Sequence, residues 1–409
     1  MMELIGVIVA VALVFVLLFL RKNMALVMLI GSLVLALFMK AGPAECFSIA
    51  AAALTSASTL NLLAAITAIG ILGELMYHNG AMEKAMESLK ALLRDSRVLL
   101  MLLPSMIGLL SIPGGAYFSA PLADQIGTGL KMNPARRALA NVFFRHFLMP
   151  VYPFFPGFIA MLSFTDISAG TLAALCLPAV AVATLLGAWF IFRQTGGEPL
   201  GEGQERRYGE NVKGFLYGLL PVLLALAAVV ALGWPFWAAL LPALVLALFQ
   251  YPPEEGWPAE MKKRLLLLVK GIPVKILLGV AGIMIFKEFI ALSGAIEQLS
   301  RLSSSAGIPL IMLIILLPYL GGIITGSCYA SLGMTLPVLM PLLGMAGQPE
   351  AMLALAYLGA FWGYVASPVH LCQLLTVEYF KVPLGAVLPH LAWIGAIVLA
   401  ISTAYLSLF

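Results

Sequence analysis

Ile112-Pro113-Gly114-Gly115-Ala116-Tyr117-Phe118-Ser119 returns in altered form as Ile324-Thr325-Gly326-Ser327-Cys328-Tyr329-Ala330-Ser331. Gly114 aligns with Gly326, Tyr117 with Tyr329 and Ser119 with Ser331, each pair 212 residues apart (326 against 114). Continued without a gap, the same register pairs Pro156 with Pro368. Upstream, Gly73-Glu74 to Gly80-Ala81-Met82-Glu83 matches Lys287-Glu288 to Gly294-Ala295-Ile296-Glu297, at a separation of 214 (294 against 80). One unit is therefore written twice, and each copy reads as span, hairpin, broken span, span.

The surroundings of these motifs are made for lipid. Of 409 residues, 62% are hydrophobic and only 10% charged, with a mean hydropathy of +1.05. A soluble domain carries about 25% charged residues. Runs such as Leu4–Leu20, Ala25–Met39 and Leu172–Phe192 are of the length that crosses a ~30 Å hydrocarbon layer. Residues 4–20 lack a positive n-region, since Glu3 precedes them, and Arg21-Lys22 closes the run. We read them as a retained membrane helix and not as a signal peptide. The net charge of +4 is scattered, which gives nucleic acid no footprint. Cys46, Cys176, Cys328 and Cys372 form no CxxC spacing, so neither structural zinc nor a disulfide framework is expected.

Charge sets the expected topology. Arg21-Lys22, Lys131 with Arg136-Arg137, Arg193 with Arg206-Arg207 and Lys213, Lys262 to Arg264, and Lys381 mark cytoplasmic turns. All can be cytoplasmic only if the segments near 98–130 and 307–345 each enter and leave on one side. The expected fold is thus an all-α polytopic membrane protein with inverted-topology repeats, each holding a re-entrant hairpin and a broken transmembrane helix. Residues 1–58 supply N-terminal scaffold helices, with 43–57 read as interfacial. Repeat 1 spans 59–193: span 59–78, hairpin 98–130, broken span 138–165 and span 171–193. An amphipathic run, Ala81–Arg97, is expected on the cytoplasmic surface. A cytoplasmic linker, 194–213, and scaffold helices over 214–276 follow. Repeat 2 spans 277–409: span 277–294, hairpin 307–345, broken span 350–378 and span 384–408. Both termini are expected outside the cytoplasm, and the location is the inner cell membrane.

The candidate working residues lie where helices break. Pro113-Gly114-Gly115 and Thr325-Gly326-Ser327 interrupt apolar helices with poor helix formers. Backbone freed there must find partners in protein or in a wet cavity, because lipid offers none. Phe147 to Gly157, with Pro150, Pro153 and Pro156, cannot be one helix, and Gly363 to His370 breaks in register with it. Discontinuous helices are where transporters hold substrate and coupling ions. A proline kink or a glycine-mediated crossing is the structural alternative. The substrate-binding set is Gly114, Gly115, Tyr117, Ser119, Arg145, His146, Tyr152, Thr325, Gly326, Ser327, Tyr329 and His370. Arg145 costs about 2.5–3.5 kcal/mol in a membrane unless something offsets it. An anionic substrate would do so, as would an acidic partner or a path to water along which the side chain snorkels. His146 and His370 are candidate proton carriers or packing residues. Ser327 and Ser367, with backbone carbonyls, form a candidate sodium site. Glu74 and Glu288 occupy equivalent positions, Lys287 is expected to pair with an acid on another helix, and Asp124 is a further candidate cation ligand.

The pattern Phe144-Arg145-His146, Tyr152-Pro153 and Pro156-Gly157, preceded by Ile112 to Pro121, resembles a bacterial family of integral membrane proteins of unassigned activity. That family is grouped with the ion transporter superfamily, which includes divalent anion:sodium symporters, gluconate and citrate permeases, arsenite pumps and sodium/proton antiporters. The resemblance covers residues 59–409. It implies a homodimer in which scaffold helices hold a moving domain built from the hairpins and broken spans. In the dicarboxylate symporters each hairpin tip carries a Ser-Asn-Thr motif. Here the first tip has no hydroxyl at those positions, which puts a two-site sodium scheme in doubt.

The function expected from this reading is secondary active transport, a sodium- or proton-coupled symport of a small organic anion, a carboxylate, by alternating access. No cofactor is expected beyond the coupling ion, and the partners are the anion, the bilayer and a second copy of the chain. A cation/proton antiporter is the alternative, and a channel is a further class. An intramembrane enzyme has no HExxH, GxSxG or aspartyl pair to support it.

Overall fold

A computed structural model describes residues 2–20, 22–109, 116–193, 195–196, 208–252, 256–293, 309–343 and 349–408. These residues form helices joined by turns, with no strand among them. The chain opens with α1 (Met2–Phe19) and α2 (Met24–Met39). The Asn23 carboxamide caps α2 by accepting from the Leu26 amide at 3.2 Å. α1 and α2 pack closely because Gly6 faces Phe38 and Gly31 faces Val14, with no room for a Cβ at either glycine. α3 (Pro43–Thr55) continues through a bend at Ser56 into α4 (Ala57–His78). The stretch 43–57 is helical on both sides of that bend, and α3 packs on the later helix Val274–Leu292.

α5 (Ala81–Leu92) is amphipathic, and its apolar face has a protein partner: it packs on α11 (Tyr208–Leu232). Gly218 sits so close to the backbone of Ala81 and Ala85 that a side chain there would collide. α11 begins at Tyr208, so the last part of the expected linker is helix. Its polar residues Glu210, Asn211 and Lys213 form the opening turns, with the acid at the positive end of the helix dipole. α12 (Phe236–Phe249) and α13 (Trp257–Lys270) complete the middle of the chain.

Two helical hairpins occupy the expected places. α6 (Ser96–Leu109) packs on α7 (Ala116–Gly129), and α15 (Leu310–Thr325) packs on α16 (Cys328–Leu343). At 1.5 Å per residue these 14- and 16-residue arms reach about 21–24 Å. Each falls short of a ~30 Å apolar layer. The first tip, 110–115, holds the called residues Gly114 and Gly115 and lies outside the described residues, as do 307–308 and 344–345 of the second hairpin.

The helix is interrupted in both stretches where a break is expected. α8 (Pro134–His146) gives way to a short 3-10 turn, Met149–Val151, before α9 (Pro156–Phe164). α17 (Pro349–Val365) stops, and α18 (Leu371–Phe380) starts beyond Pro368. α10 (Ala169–Phe192), α14 (Val274–Leu292) and α19 (Leu388–Leu406) are the remaining long helices. Among the described residues, six helical stretches are long and apolar enough to cross a membrane: Ala57–His78, Pro134–Phe164, Ala169–Phe192, Tyr208–Leu232, Glu260–Leu292 and Leu388–Leu406. Large apolar side chains lie bare on the outside, Leu37 at 78% and Leu185 at 71% exposure among them. Such a surface is stable against lipid and not against water. The protein is a multi-pass membrane protein.

The repeat register survives into the helices. α4 and α14 end at His78 and Leu292, 214 residues apart (292 against 78), and α7 and α16 begin at Ala116 and Cys328, 212 apart (328 against 116). The packing is reciprocal as well. In each half the first hairpin arm lies on the broken helix, α6 on α8 and α15 on α17, while the second arm crosses to the other half, α7 to α18 and α16 to α9. The two breaks are thereby brought to one place.

Candidate functional site

Where the breaks meet there is a cavity of about 550 Å³. Arg145 and His146 come from the end of α8, Tyr364 from the end of α17, and His370 and Cys372 from the start of α18. Gly326 and Ser327 contribute the second hairpin tip, Tyr329 the first turn of α16, and Lys275 the start of α14.

Close backbone packing holds Arg145 in this wall. A Cβ at Gly108 of α6 would lie 2.1 Å from the Arg145 carbonyl oxygen, so only glycine permits the approach. Ser105, one turn earlier, donates its hydroxyl to the Phe144 carbonyl at 2.6 Å. In the second half, Gly363 meets the Tyr319 carbonyl and Gly322 the Ala360 carbonyl with equally little room. Small residues thus let each hairpin arm touch the backbone of its broken helix.

Arg145 is 3% exposed. Its Nε and Nη1 are buried without a hydrogen-bond partner, and no aspartate or glutamate is among the described residues lining the cavity. Among the described residues the side chain has no acidic partner. His146 is held differently. Its Nδ1–H donates to the Val142 carbonyl at 2.6 Å, which leaves the Nε2 lone pair to accept from the Tyr364 hydroxyl at 3.2 Å. His370 is buried, and both of its ring nitrogens lack a partner. It lies against Tyr364 at 4.2 Å and meets His146 edge-on at 4.7 Å between ring centroids.

The other expected residues divide between the cavity wall and local packing. Gly326 adopts φ +61° and caps α15, and a side chain there would be strained. Thr325 spends its hydroxyl on that turn: it donates to the Gly321 and Ser327 carbonyls and accepts from the Ser327 amide. Ser327 lines the cavity, and its hydroxyl accepts weakly from the Ala330 amide at 3.4 Å. Ser367 is not among the lining residues. Its hydroxyl donates to the Ile323 carbonyl at 2.5 Å and accepts from the Val369 amide at 3.2 Å, so it fastens the second break to α15. Ser119 is fully buried and donates to the Ala116 carbonyl of its own helix. The backbone of Tyr117 is in the first turn of α7. Tyr152 turns away, because the 3-10 turn after α8 redirects the chain. It lines a separate apolar cavity of about 330 Å³ with Leu148, Leu226 and Val230.

The remaining candidate charges, Asp124, Lys287, Glu74 and Glu288, are not among the described residues lining the cavity. Asp124 pairs with Arg137. Lys287, expected against an acid, places its ammonium 5.0 Å from the centre of the Phe164 ring. Sequence reasoning missed Tyr364, Cys372 and Lys275. Tyr364 lies inside the quoted break and Cys372 two residues beyond it, so the break itself was their signal. Lys275 carried none.

Comparison with known proteins places this geometry in a wider setting. A family model described as a protein of unknown function (DUF401) matches residues 3–408. No curated protein sequence matches the chain. Among solved structures, the fold is similar to that of the YdaH transporter of Alcanivorax borkumensis, whose structure is described as having an unusual topology. The TM-score is 0.61 at 15% identity, covering 88% of this chain and 87% of that one.

Proposed function

The chain belongs to the DUF401 family, and we propose that this member is a secondary active transporter that binds a small organic anion, a carboxylate, in the cavity where its two broken helices meet. The observation that carries the reading is Arg145: a buried guanidinium with unpartnered donors, beside a cavity with no acid among its described lining residues. A charge in that position needs a counter-charge. A carboxylate supplies it and matches the planar fork of arginine. His370 adds a second buried group without a partner. The likeness of fold to a transporter supports transport as the use of the site.

In this proposal the cycle is alternating access driven by a sodium or proton gradient. The hairpins and broken helices move as one unit against a scaffold of α1, α2 and α11–α13. The two halves have inverted topology, the hairpins are re-entrant, and the termini lie outside the cytoplasm of a bacterial inner membrane. The assembly is a homodimer, and the family stands within the ion transporter superfamily. Asp124 is tied to Arg137 away from the cavity, which favours symport over cation exchange at that carboxylate.

The test is uptake of a panel of labelled small carboxylates into proteoliposomes under a sodium gradient alone and a proton gradient alone. Accumulation of one class of carboxylate, dependent on one gradient, is expected. Passive flux that no gradient concentrates would overturn the reading in favour of a channel.

A further inference from the structure

We propose that His146, His370 and Cys372 together bind a single soft metal ion, copper(I). Each residue offers one donor atom, and these atoms all lie within 4.8 Å of one another, with both histidines buried and the cysteine half-buried. Metal–nitrogen bonds of about 2.0 Å and metal–sulfur bonds of about 2.3 Å put trigonal donors about 3.5–4 Å apart. Side-chain shifts of about an ångström close the set.

Two observations beyond proximity point to a ligand. Both ring nitrogens of His370 are buried and unpartnered, and a metal bond would satisfy one of them. His146 is already in the form a metal takes. Its Nδ1–H is fixed on the Val142 carbonyl at 2.6 Å, and Nε2 is left with only a 3.2 Å bond from Tyr364. A carbonyl behind the second ring nitrogen is the usual support of a ligating histidine.

The donors and the charge choose the metal. Two imidazoles and a thiol form a soft set, and the thioether-bearing Met149 lines the same cavity. On binding, Cys372 gives its proton to solvent and its sulfur bonds the ion. A monovalent ion with one thiolate is neutral. A divalent ion would leave a net positive charge beside Arg145 and Lys275, with no carboxylate among the described lining residues to offset it. The donor set is His146, His370 and Cys372, and metal binding by it is measured separately from anion binding.

The experiment is a competition titration of copper(I) between the purified protein and a chromophoric copper(I) chelator, in a reducing buffer free of thiols. The wild type is expected to withdraw a single ion per chain. Cys372→Ser and His370→Gln are expected to weaken binding by at least the roughly 10–100-fold that the loss of a supporting partner costs. Cys46→Ser, in α3, is expected to leave binding unchanged. X-ray absorption of the copper-loaded wild type should show sulfur and imidazole neighbours, a readout that needs no variant to fold. No withdrawal of copper, an absorption spectrum without sulfur, or loss of binding in Cys328→Ser with retention in Cys372→Ser would each overturn the site.

Discussion

His146 and His370 meet edge-on, ring centroids 4.7 Å apart and ring planes at 77°, one from each broken helix. The contact is the point at which the two halves of the chain converge. α8 ends at His146, and α18 begins immediately after His370. Arg145 adjoins the first, and Tyr364 touches both rings. Breaking two helices at one place puts chain ends, and the polar side chains on them, beside a cavity inside an otherwise apolar protein.

Gly108→Ala should damage this place from behind. The new methyl would lie 2.1 Å from the Arg145 carbonyl oxygen, and overpacking of this kind costs about 1–3 kcal/mol. A lower unfolding midpoint in detergent is expected, with weaker anion binding because Arg145 is displaced. Unchanged values of both would show that α6 and α8 do not approach as closely as described.

A lock at the end of α4 should matter for stability and not for binding. Glu260 accepts from Arg264 at 2.9 Å and contacts His78 at 3.0 Å, while Arg264 donates to the Leu248 and Tyr251 carbonyls. Glu260→Gln removes the counter-charge of a guanidinium that is 3% exposed. A charge-assisted hydrogen bond of this sort is worth about 1.5–3 kcal/mol. Thermal unfolding should register that loss while ligand affinity stays at the wild-type value. A variant as stable as the wild type would remove the lock from the account.

Gly129 and Met340 test the orientation of the repeats. They stand near the ends of the second arms of the two hairpins, and Met340 is exposed. With the native cysteines replaced, Gly129→Cys should react with an impermeant thiol reagent from the cytoplasmic side only. Met340→Cys should react from the opposite side only. Labelling of both from one side would sink the inverted topology.

The architecture was legible in the sequence because its causes are local. Prolines and glycines stop helices wherever they fall, and charges between apolar runs announce turns. Self-similarity at 212 residues located both hairpins, and α7 and α16 start in that register. The site was legible only in part. Arg145, His146 and His370 stood out because polar groups are rare in such segments. Which break meets which depends on the exchange of arms between the halves, and no period in the sequence reports that crossing. Cys372 therefore read as a lone cysteine. Tyr152, quoted beside Arg145, faces a different cavity, because a three-residue 3-10 turn rotates the chain between them. Ser119 and Ser367 had the right chemistry for a site, but their hydroxyls are spent on carbonyls, Ser119's within its own helix and Ser367's across to α15.

The most direct measurement is anion-dependent thermal stabilisation of the purified protein, run on the wild type, Arg145→Lys and Arg145→Gln with a panel of small carboxylates. Ligand bound to the folded state raises the midpoint in proportion to the logarithm of its concentration. The wild type should be stabilised by a class of carboxylates. Arg145→Lys should respond more weakly, since it keeps the charge but loses the planar fork, and Arg145→Gln should not respond. Equal stabilisation of all three by the same anion would contradict the account, because the buried guanidinium would then have no part in binding it.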